Sequence, residues 1–401
     1  MAEDRSPGFG TRAVHSGGGQ ETPVGDFRPS VFPIYAASAF YYPTQAELDA
    51  VFAGERPGFV YTRNANPTVA ALERAVADLE GGVAAVAFGS GMAAVHGALL
   101  ALELSPGDRL LAARDLYGAT RDLLLTFFAP MGVQVRFADL TDLANAEKLL
   151  AAQRPKGIFF EVVTNPVLRV LDVPALAGLG RRYGARVIVD ATFVSPYLHR
   201  PLGAGADLVV HSATKYLGGH GDVMGGLVVA GGELEPALRT IVRLVGSVLG
   251  PFEAWLILRG IRTLHLRMER HCANAARVAE WLGAHPKIGR VYYPGRPEHP
   301  DHRVARKLFG DRFGGMVAFE LRDGTRERAM GFIDRLRLCR PAPTLGDVFT
   351  EVLYPPISSH RYLGPEERRS LGITDGLIRM SVGIEDPEDI IADLEQALAK
   401  I

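Results

Sequence analysis

The chain has 401 residues, of which 47% are hydrophobic and 22% charged, and its formal net charge at pH 7 is −1. This composition supports a large core and excludes global disorder, and the near-neutral charge gives no basis for binding nucleic acid or an anionic membrane. Its two cysteines, Cys272 and Cys339, exclude a disulfide framework and are typical of a reducing, cytoplasmic compartment.

The N-terminal 65 residues show little periodicity and many breakers of regular structure. Three glycines occupy 17–19, and prolines follow at 23, 29, 33 and 43. The first ten residues are acidic and not apolar, so we expect no secretory signal. We expect an arm over 1–65 that packs on a neighbouring subunit.

A regular pattern begins at residue 66. Between Pro67 and Gly81 the apolar positions have helical spacing and predict a helix with one buried face. These positions are Val69, Leu72, Val76 and Leu79. Short apolar segments then alternate with helices; the segments are 83–88, 109–113, 133–137, 157–163, 186–190, 207–211 and 225–230. This alternation predicts an α/β domain over 66–255, with a mostly parallel sheet covered on both faces.

One stretch, 83–102, resembles a membrane span because it contains no charged residue. Gly89, Ser90 and Gly91 interrupt it in the middle. A buried strand, a tight turn and a buried helix explain the pattern better than a span. We therefore expect no membrane insertion.

The rest of the chain, 256–401, is expected to form a smaller α+β domain. A long amphipathic helix is predicted within 255–282, bridging the two domains. A strand at 316–321 and helices at 326–336 and 389–398 are predicted beyond it.

Polar residues follow five of the predicted strands, where ligands of open α/β sheets bind. They are Gly89–Met92, Tyr117, Asn165, Asp190 and the group Ser212, Thr214 and Lys215. A lysine, an acid, two hydroxyls and a glycine-rich helix start are the parts needed to hold pyridoxal phosphate. Lys215 would form the Schiff base, Asp190 would keep the pyridine nitrogen protonated, and the hydroxyls would bind phosphate. We expect no metal site.

A dinucleotide site is an alternative interpretation of the same region. The run G-S-G-M-A-A at 89–94 follows a strand, and Asp115 lies about twenty residues beyond it, as in a Rossmann oxidoreductase. This hypothesis leaves Asp190 and Lys215 without a role.

Several segments resemble a known family. The run D-L-V-V-H-S-A-T-K-Y-L-G-G-H-G-D-V at 207–223 is similar to the signature of the pyridoxal-phosphate enzymes of cysteine and methionine metabolism, the trans-sulfuration family. Further similar segments follow the family's order: Y-T-R-N-A-N-P-T at 61–68, D-L-Y-G-A-T at 115–120, V-D-A-T-F-V-S-P-Y at 189–197 and G-L-I-R-M-S-V-G-I-E-D at 376–386. The resemblance implies a fold-type I pyridoxal-phosphate-dependent transferase fold, pyridoxal 5'-phosphate as cofactor, and a homotetramer built from two active dimers.

The resemblance also implies roles for individual residues. Lys215 would bind the coenzyme covalently and Asp190 would pair with its ring nitrogen, while Tyr117 would stack on the ring and assist proton transfer. The residues implied to bind phosphate are Gly91, Met92, Ser212 and Thr214, joined by Tyr61 and Arg63 from a neighbouring subunit. The residues implied to contact substrate are Arg379, which would grip its carboxylate, Asn165 and Thr344.

The family contains cystathionine and methionine γ-lyases, cystathionine γ-synthase and O-acetylhomoserine sulfhydrylase. Phe349 replaces a glutamate that is frequent in cystathionine-cleaving members, Ala119 a cysteine of methionine γ-lyases, and Ala191 a common asparagine. A phenyl ring cannot pair with the distal ammonium of cystathionine, which favours a smaller or more apolar sulfur substituent.

The resemblance predicts a carbon–sulfur lyase that converts methionine, homocysteine or cystathionine to 2-oxobutanoate, ammonia and a thiol by γ-elimination. The alternative is γ-replacement on an O-acyl-homoserine. A non-catalytic sensor built on the same fold is a remote alternative, against which the joint presence of Lys215, Tyr117 and Arg379 argues.

Overall fold

The computed structural model describes residues 7–16, 29–361 and 363–401. Positions 1–6 and 17–28 of the expected N-terminal arm lie outside the described residues. Within the described part of the arm, two short helices occur, and a single antiparallel bridge joins Ala39 to Tyr61.

A seven-stranded sheet forms the larger layer of the fold. Its strands are β1 Ala84–Phe88, β2 Arg109–Ala113, β3 Gln134–Ala138, β4 Gly157–Glu161, β5 Arg186–Asp190, β6 Leu208–Ser212 and β7 Gly226–Ala230. Their order is β1-β7-β6-β5-β4-β2-β3. Only β7 runs against its neighbours, β1 and β6, so the other six strands point the same way. The prediction of a mostly parallel sheet is confirmed.

Helices cover this sheet and surround a second one. They are α1 Phe9–His15, α2 Gln45–Phe52, α3 Pro67–Glu80, α4 Gly91–Leu100, α5 Gly118–Leu123, α6 Leu143–Gln153, α7 Val173–Tyr183, α8 Ser195–Leu198, α9 Glu235–Val245, α10 Pro251–Ile261, α11 Leu264–Ala284, α12 His302–Phe309, α13 Arg326–Ile333, α14 Pro365–Ser370 and α15 Pro387–Leu398. A π-helical turn at Leu124–Phe128 continues α5, and a 3-10 turn occupies Pro355–Ile357.

Helix α3 shows how closely the local signals match the structure. The Asn66 side chain accepts a hydrogen bond from the Thr68 amide at 2.9 Å, which caps the first turn. Gly81 ends the helix with a φ of 77°, a left-handed conformation that favours glycine. All four apolar positions predicted for the buried face are buried.

The smaller sheet has its own core. Its strands are β8 Ile288–Tyr292, β9 Met316–Leu321, β10 Arg340–Pro341, β11 Glu351–Leu353 and β12 Leu377–Ser381, in the order β10-β11-β12-β9-β8. Residues from α11, α13 and α15 pack against it in a separate hydrophobic cluster. The two sheets fall within the predicted 66–255 and 256–401 regions; the boundaries themselves stay a prediction.

The long amphipathic helix predicted within 255–282 is present as α11, although it does not fill the segment. The segment forms two helices, α10 and α11, separated at Arg262 and Thr263. The Gly260 carbonyl accepts hydrogen bonds from the Thr263 amide at 3.2 Å and from the Arg267 guanidinium at 2.7 Å. These local bonds replace the continued α-helical pattern, and hydrophobic periodicity alone does not reveal them.

The uncharged stretch at 83–102 divides between strand β1 and helix α4. Within 7–16, 29–361 and 363–401, no helix combines the length and apolar character needed to cross a membrane.

An ion pair between a half-buried arginine and a buried aspartate links the loop after β4 to the start of α12. The Arg169 guanidinium donates to both carboxylate oxygens of Asp301, at 2.6 and 3.0 Å. The same carboxylate accepts from the Val170 amide at 3.0 Å, and its side chain is only 9% exposed. Asp301 therefore holds the backbone next to the sheet edge as well as the arginine.

We expect Asp301→Asn to lower the free energy of unfolding by about 2 kcal/mol, because it removes the charged hydrogen-bond partner of Arg169, whose side chain is 24% exposed. Asp311→Asn is the matched control, since the Asp311–Arg306 pair is exposed and 3.6 Å long; it should cost less than about 0.5 kcal/mol. Urea denaturation measures both. Equal effects of the two substitutions would contradict the role given to Asp301.

Candidate active site

A cavity of about 660 Å³ lies at the carboxyl ends of the parallel strands. It is walled on one side by the larger sheet and on the other by residues from the smaller sheet and its loops. The predicted site residues that line it are Gly91, Met92, Tyr117, Asn165, Asp190, Ser212, Thr214, Lys215 and Arg379. Residues that are distant in sequence therefore meet at one sheet edge, as the strand-end pattern predicts.

The start of α4 forms a cradle for an anion. The Ser90 side chain caps the helix by accepting from the Ala93 amide at 3.1 Å. The amides of Gly91 and Met92 fall in the first turn, which has no intrahelical acceptors. A Cβ at Gly91 would lie 2.7 Å from the Ser212 hydroxyl oxygen, so only glycine leaves this space open. Together with Ser212 and Thr214, this helix start fits a phosphate group.

Two carboxyl groups stand side by side next to this cradle. Glu161 ends β4 and is aligned with Asp190 at the end of β5. Burial raises the pKa of Asp190, and the pKa of Glu161 lies well above its usual value because of burial and the nearby Asp190. A cationic ring nitrogen at Asp190 would offset this desolvation, so the acid fits a protonated pyridine.

Glu161 is a site residue that sequence reasoning missed. It lines the cavity, and its Oε1 accepts a hydrogen bond from the Tyr117 amide at 2.5 Å. It thereby fixes the backbone of the residue expected to stack on the coenzyme ring. The sequence signal that could have indicated Glu161 is an acid at the end of a buried strand. The segment 157–163 is otherwise apolar and is interpreted only as a strand.

Lys215 lies deep in the cavity. Its Nζ donates a hydrogen bond to the Thr344 hydroxyl at 2.7 Å. Burial, and then the nearby Arg379, lower the pKa of the Lys215 amine. A lowered pKa increases the fraction of neutral amine, which is the form that attacks an aldehyde and accepts a proton.

Arg379 is a buried cation held by neutral oxygens. It is 4% exposed and donates to the Asn165 Oδ1 at 3.1 Å and to the Thr344 carbonyl at 2.9 Å. Its Nε has no hydrogen-bond partner among the described residues. Burial lowers the pKa of Arg379 to about 10, so the guanidinium stays charged at neutral pH. Such a group fits a substrate carboxylate.

Thr344 does not line the cavity but joins its two cations, with its hydroxyl on Lys215 and its carbonyl on Arg379. Tyr117, 45% exposed, lies at the mouth of the cavity. The anion cradle, the acid pair, the amine and the aromatic ring together fit pyridoxal phosphate.

Asp115 lies outside the cavity lining and pairs with Arg114, which gives no support to the dinucleotide alternative.

Tyr61 and Arg63 lie outside the cavity of their own chain. The Arg63 guanidinium donates to the Arg243 carbonyl at 2.8 Å and stacks on the Tyr61 ring at 5.4 Å. Their contact with the phosphate of a neighbouring subunit stays a prediction.

The three positions that depart from the family pattern differ in their burial and contacts. Phe349 is outside the cavity lining, and its ring is covered by the Arg340 guanidinium at 4.0 Å. Ala191 is fully buried, and Ala119 is partly buried in α5. The apolar part of the cavity wall comes from other residues, which include Phe193, Met224, Leu345 and Leu353.

Comparison with known proteins identifies the family of this chain. Residues 10–399 match the family model described as Cys/Met metabolism PLP-dependent enzyme. The chain is 43% identical over 402 residues to an L-methionine gamma-lyase of Fusobacterium nucleatum subsp. polymorphum, with both chains fully covered. It is 42% identical over 395 residues to an O-succinylhomoserine sulfhydrylase of Pseudomonas aeruginosa, covering 98% of this chain and 96% of the relative.

Among solved structures, a cystathionine gamma synthase of Xanthomonas oryzae pv. oryzae superposes with a TM-score of 0.90 at 37% identity, covering 99% of this chain and all of the other. With a family model that spans nearly the whole sequence and relatives matched end to end, this chain belongs to the pyridoxal-phosphate-dependent enzymes of cysteine and methionine metabolism.

Proposed function

We propose that the enzyme is a carbon–sulfur lyase that carries out γ-elimination on a sulfur amino acid such as methionine, homocysteine or cystathionine. The products would be 2-oxobutanoate, ammonia and a thiol. The observation that carries this proposal is that Thr344 accepts hydrogen bonds from both the Lys215 amine and the Arg379 guanidinium, which line one cavity. End-to-end similarity to a methionine gamma-lyase supports the choice of elimination.

The residues of this chain divide the work between binding and proton transfer. Arg379 would bind the substrate carboxylate through two parallel hydrogen bonds and so place Cα near Lys215. Pyridoxal phosphate, when bound, withdraws electrons from the bonds at the substrate's α-carbon. Lys215 would move protons at Cα and Cβ, and Tyr117 would assist proton transfer at the departing sulfur.

γ-Replacement on an O-acyl-homoserine is the second candidate. The relative from Pseudomonas aeruginosa is named a sulfhydrylase, and the superposed structure from Xanthomonas is a synthase. The same lysine and arginine would serve both reactions, which differ in whether water or a thiol completes the cycle.

We also propose a cytoplasmic homotetramer built from two active dimers, in which Tyr61 and Arg63 complete the neighbouring subunit's phosphate site. Two observations support this arrangement. Tyr61 is 45% exposed, and both residues lie outside their own chain's cavity although the family resemblance assigns them to phosphate.

Lys215→Ala is expected to abolish 2-oxobutanoate release from methionine, because it removes the group that moves the protons. The wild-type protein should absorb near ~420 nm, and borohydride followed by peptide mass mapping should find the coenzyme's mass on Lys215. Lys156→Ala is the matched control, since Lys156 pairs with Asp108 at the surface. A coenzyme tag on another lysine would overturn the site assignment.

The same assay, extended to homocysteine and cystathionine, separates the two candidate reactions. If none of the three sulfur amino acids yields a 2-oxo acid while O-acetyl- or O-succinylhomoserine reacts with sulfide, elimination is wrong and replacement is the function.

Arg379→Lys is expected to raise KM for methionine by at least about 30-fold, or about 2 kcal/mol, with a smaller effect on kcat. A lysine keeps the charge but loses one of the two parallel hydrogen bonds to the carboxylate. Arg340→Lys, in β10 and outside the cavity lining, should leave KM unchanged. An unchanged KM in Arg379→Lys would show that the carboxylate binds elsewhere.

A complementation experiment tests the shared site. Arg63→Ala and Lys215→Ala should each be inactive, but hybrid dimers contain one site with Lys215 from one subunit and Arg63 from the other. Unfolding and refolding a mixture should therefore restore activity that neither variant has alone. A mixture that forms hybrids and stays inactive would show that each subunit builds its own site.

A further inference from the structure

Two buried carboxyl groups lie beneath the cavity and have no role in the mechanism above. Asp347 and Glu351 are each 2% exposed. Asp347 Oδ1 and Glu351 Oε2 have no hydrogen-bond partner among the described residues. A buried, unpartnered carboxylate oxygen is costly, so its retention calls for an explanation.

The backbone places this pair close to the segments that carry Arg379 and Lys215. In the ladder of β11 and β12, Glu351 is aligned with Ser381 and Leu353 with Arg379. Side chains two apart on a strand share a face, and Leu353 lines the cavity, so Glu351 is on the cavity face. A Cβ at Gly346, next to Asp347, would lie 2.8 Å from the Tyr216 amide, so the segment runs against the backbone that carries Lys215.

The charges around the pair come from several elements. Glu351 interacts electrostatically with Lys215, Arg379 and the Tyr216 phenol, and Asp347 with Lys215, Arg267 and Asp222. Burial and then the Asp347 charge raise the pKa of Glu351 to about 7, while Lys215 and Arg379 act in the opposite direction. Burial also raises the pKa of Asp347. Two adjacent buried carboxyls cannot both ionise cheaply, so they share a proton near neutral pH.

We propose that Glu351, with Asp347 beside it, is the resting counter-charge of Arg379, and that this pair of carboxyl groups takes up a proton when a substrate carboxylate binds to Arg379. This inference rests on the proposed function in one respect, the binding of the carboxylate by Arg379. Glu351 is thus a positioning residue, which acts through Arg379.

The argument is one of charge balance. Before substrate binds, an ionised Glu351 offsets part of the buried positive charge of Arg379. The arriving carboxylate neutralises the guanidinium and removes the attraction that favours ionised Glu351. Its pKa therefore rises on binding, a proton enters, and carboxylate affinity falls as pH increases through the pKa of the free protein.

Calorimetry on the holoenzyme tests this proposal with 4-(methylthio)butanoate, which has the carboxylate of methionine but no amino group to react with the coenzyme. Titrations in phosphate and in Tris, whose ionisation enthalpies differ, measure the protons taken up. If binding raises the pKa of Glu351 by about one unit, the wild type takes up about half a proton per site at pH 7.5, and Kd rises by up to about tenfold above pH 7.

Glu351→Gln should bind the carboxylate with no uptake and a flat pH dependence. Glu320→Gln is the matched control on the same sheet, where Glu320 accepts from the Tyr292 hydroxyl at 2.6 Å; it should keep the wild-type uptake. Should Glu351→Gln fail to fold, Asp347→Asn tests the same pair. Without its charged neighbour, Glu351 would titrate at lower pH, and uptake at pH 7.5 would fall.

The outcomes separate the two proposals. Uptake that persists in Glu351→Gln, with binding still dependent on Arg379, overturns the carboxyl pair and leaves the proposed function intact. Binding that is unchanged in Arg379→Gln overturns the carboxylate site, and the role of the pair falls with it.

Discussion

The active site depends on one residue that holds two cations from different sheets. Lys215 follows β6 of the larger sheet, and Arg379 lies in β12 of the smaller one. Thr344 accepts from the first with its hydroxyl and from the second with its carbonyl. Because the side chain and the main chain of one residue make both contacts, Thr344 links the position of the amine to that of the guanidinium. Substrate orientation relative to the proton-moving group is thereby set before substrate arrives.

The cavity is lined by charged groups of both signs. Asp190, Glu161, Lys215 and Arg379 all line it. Glu161 and Arg379 are buried, and Asp190 and Lys215 are half-buried, so these charges need partners of opposite sign, from the protein or from a bound molecule. The helix start at Gly91 suits an anion, Asp190 a cation and Arg379 an anion. This arrangement of complementary charges matches a phosphorylated pyridine and an amino-acid carboxylate, and binding both offsets the cost of desolvating these groups.

Much of this arrangement could be predicted from sequence, because parallel strands bring their ends to one edge and polar residues follow those ends. Other parts depend on contacts that no local pattern records. Glu161 and Glu351 are acids within buried strands, and their roles depend on residues of the neighbouring strands, which the sequence does not place beside them. The break at Thr263 arises from hydrogen bonds to Gly260, not from a breaker residue. Arg379 resembles any strand arginine until the family is considered, and Tyr61 and Arg63 need a second subunit.

The close approach of α10 to the lysine loop has a further consequence. A Cβ at Gly260 would overlap the carbonyl oxygens of Leu217 and Gly218, just beyond Lys215. The loop therefore has no room to accept a side chain at position 260. Even alanine there would clash with the loop backbone and displace Lys215. In laboratory evolution of substrate range, that distant helix position is therefore one to leave unvaried, although no substrate would ever touch it.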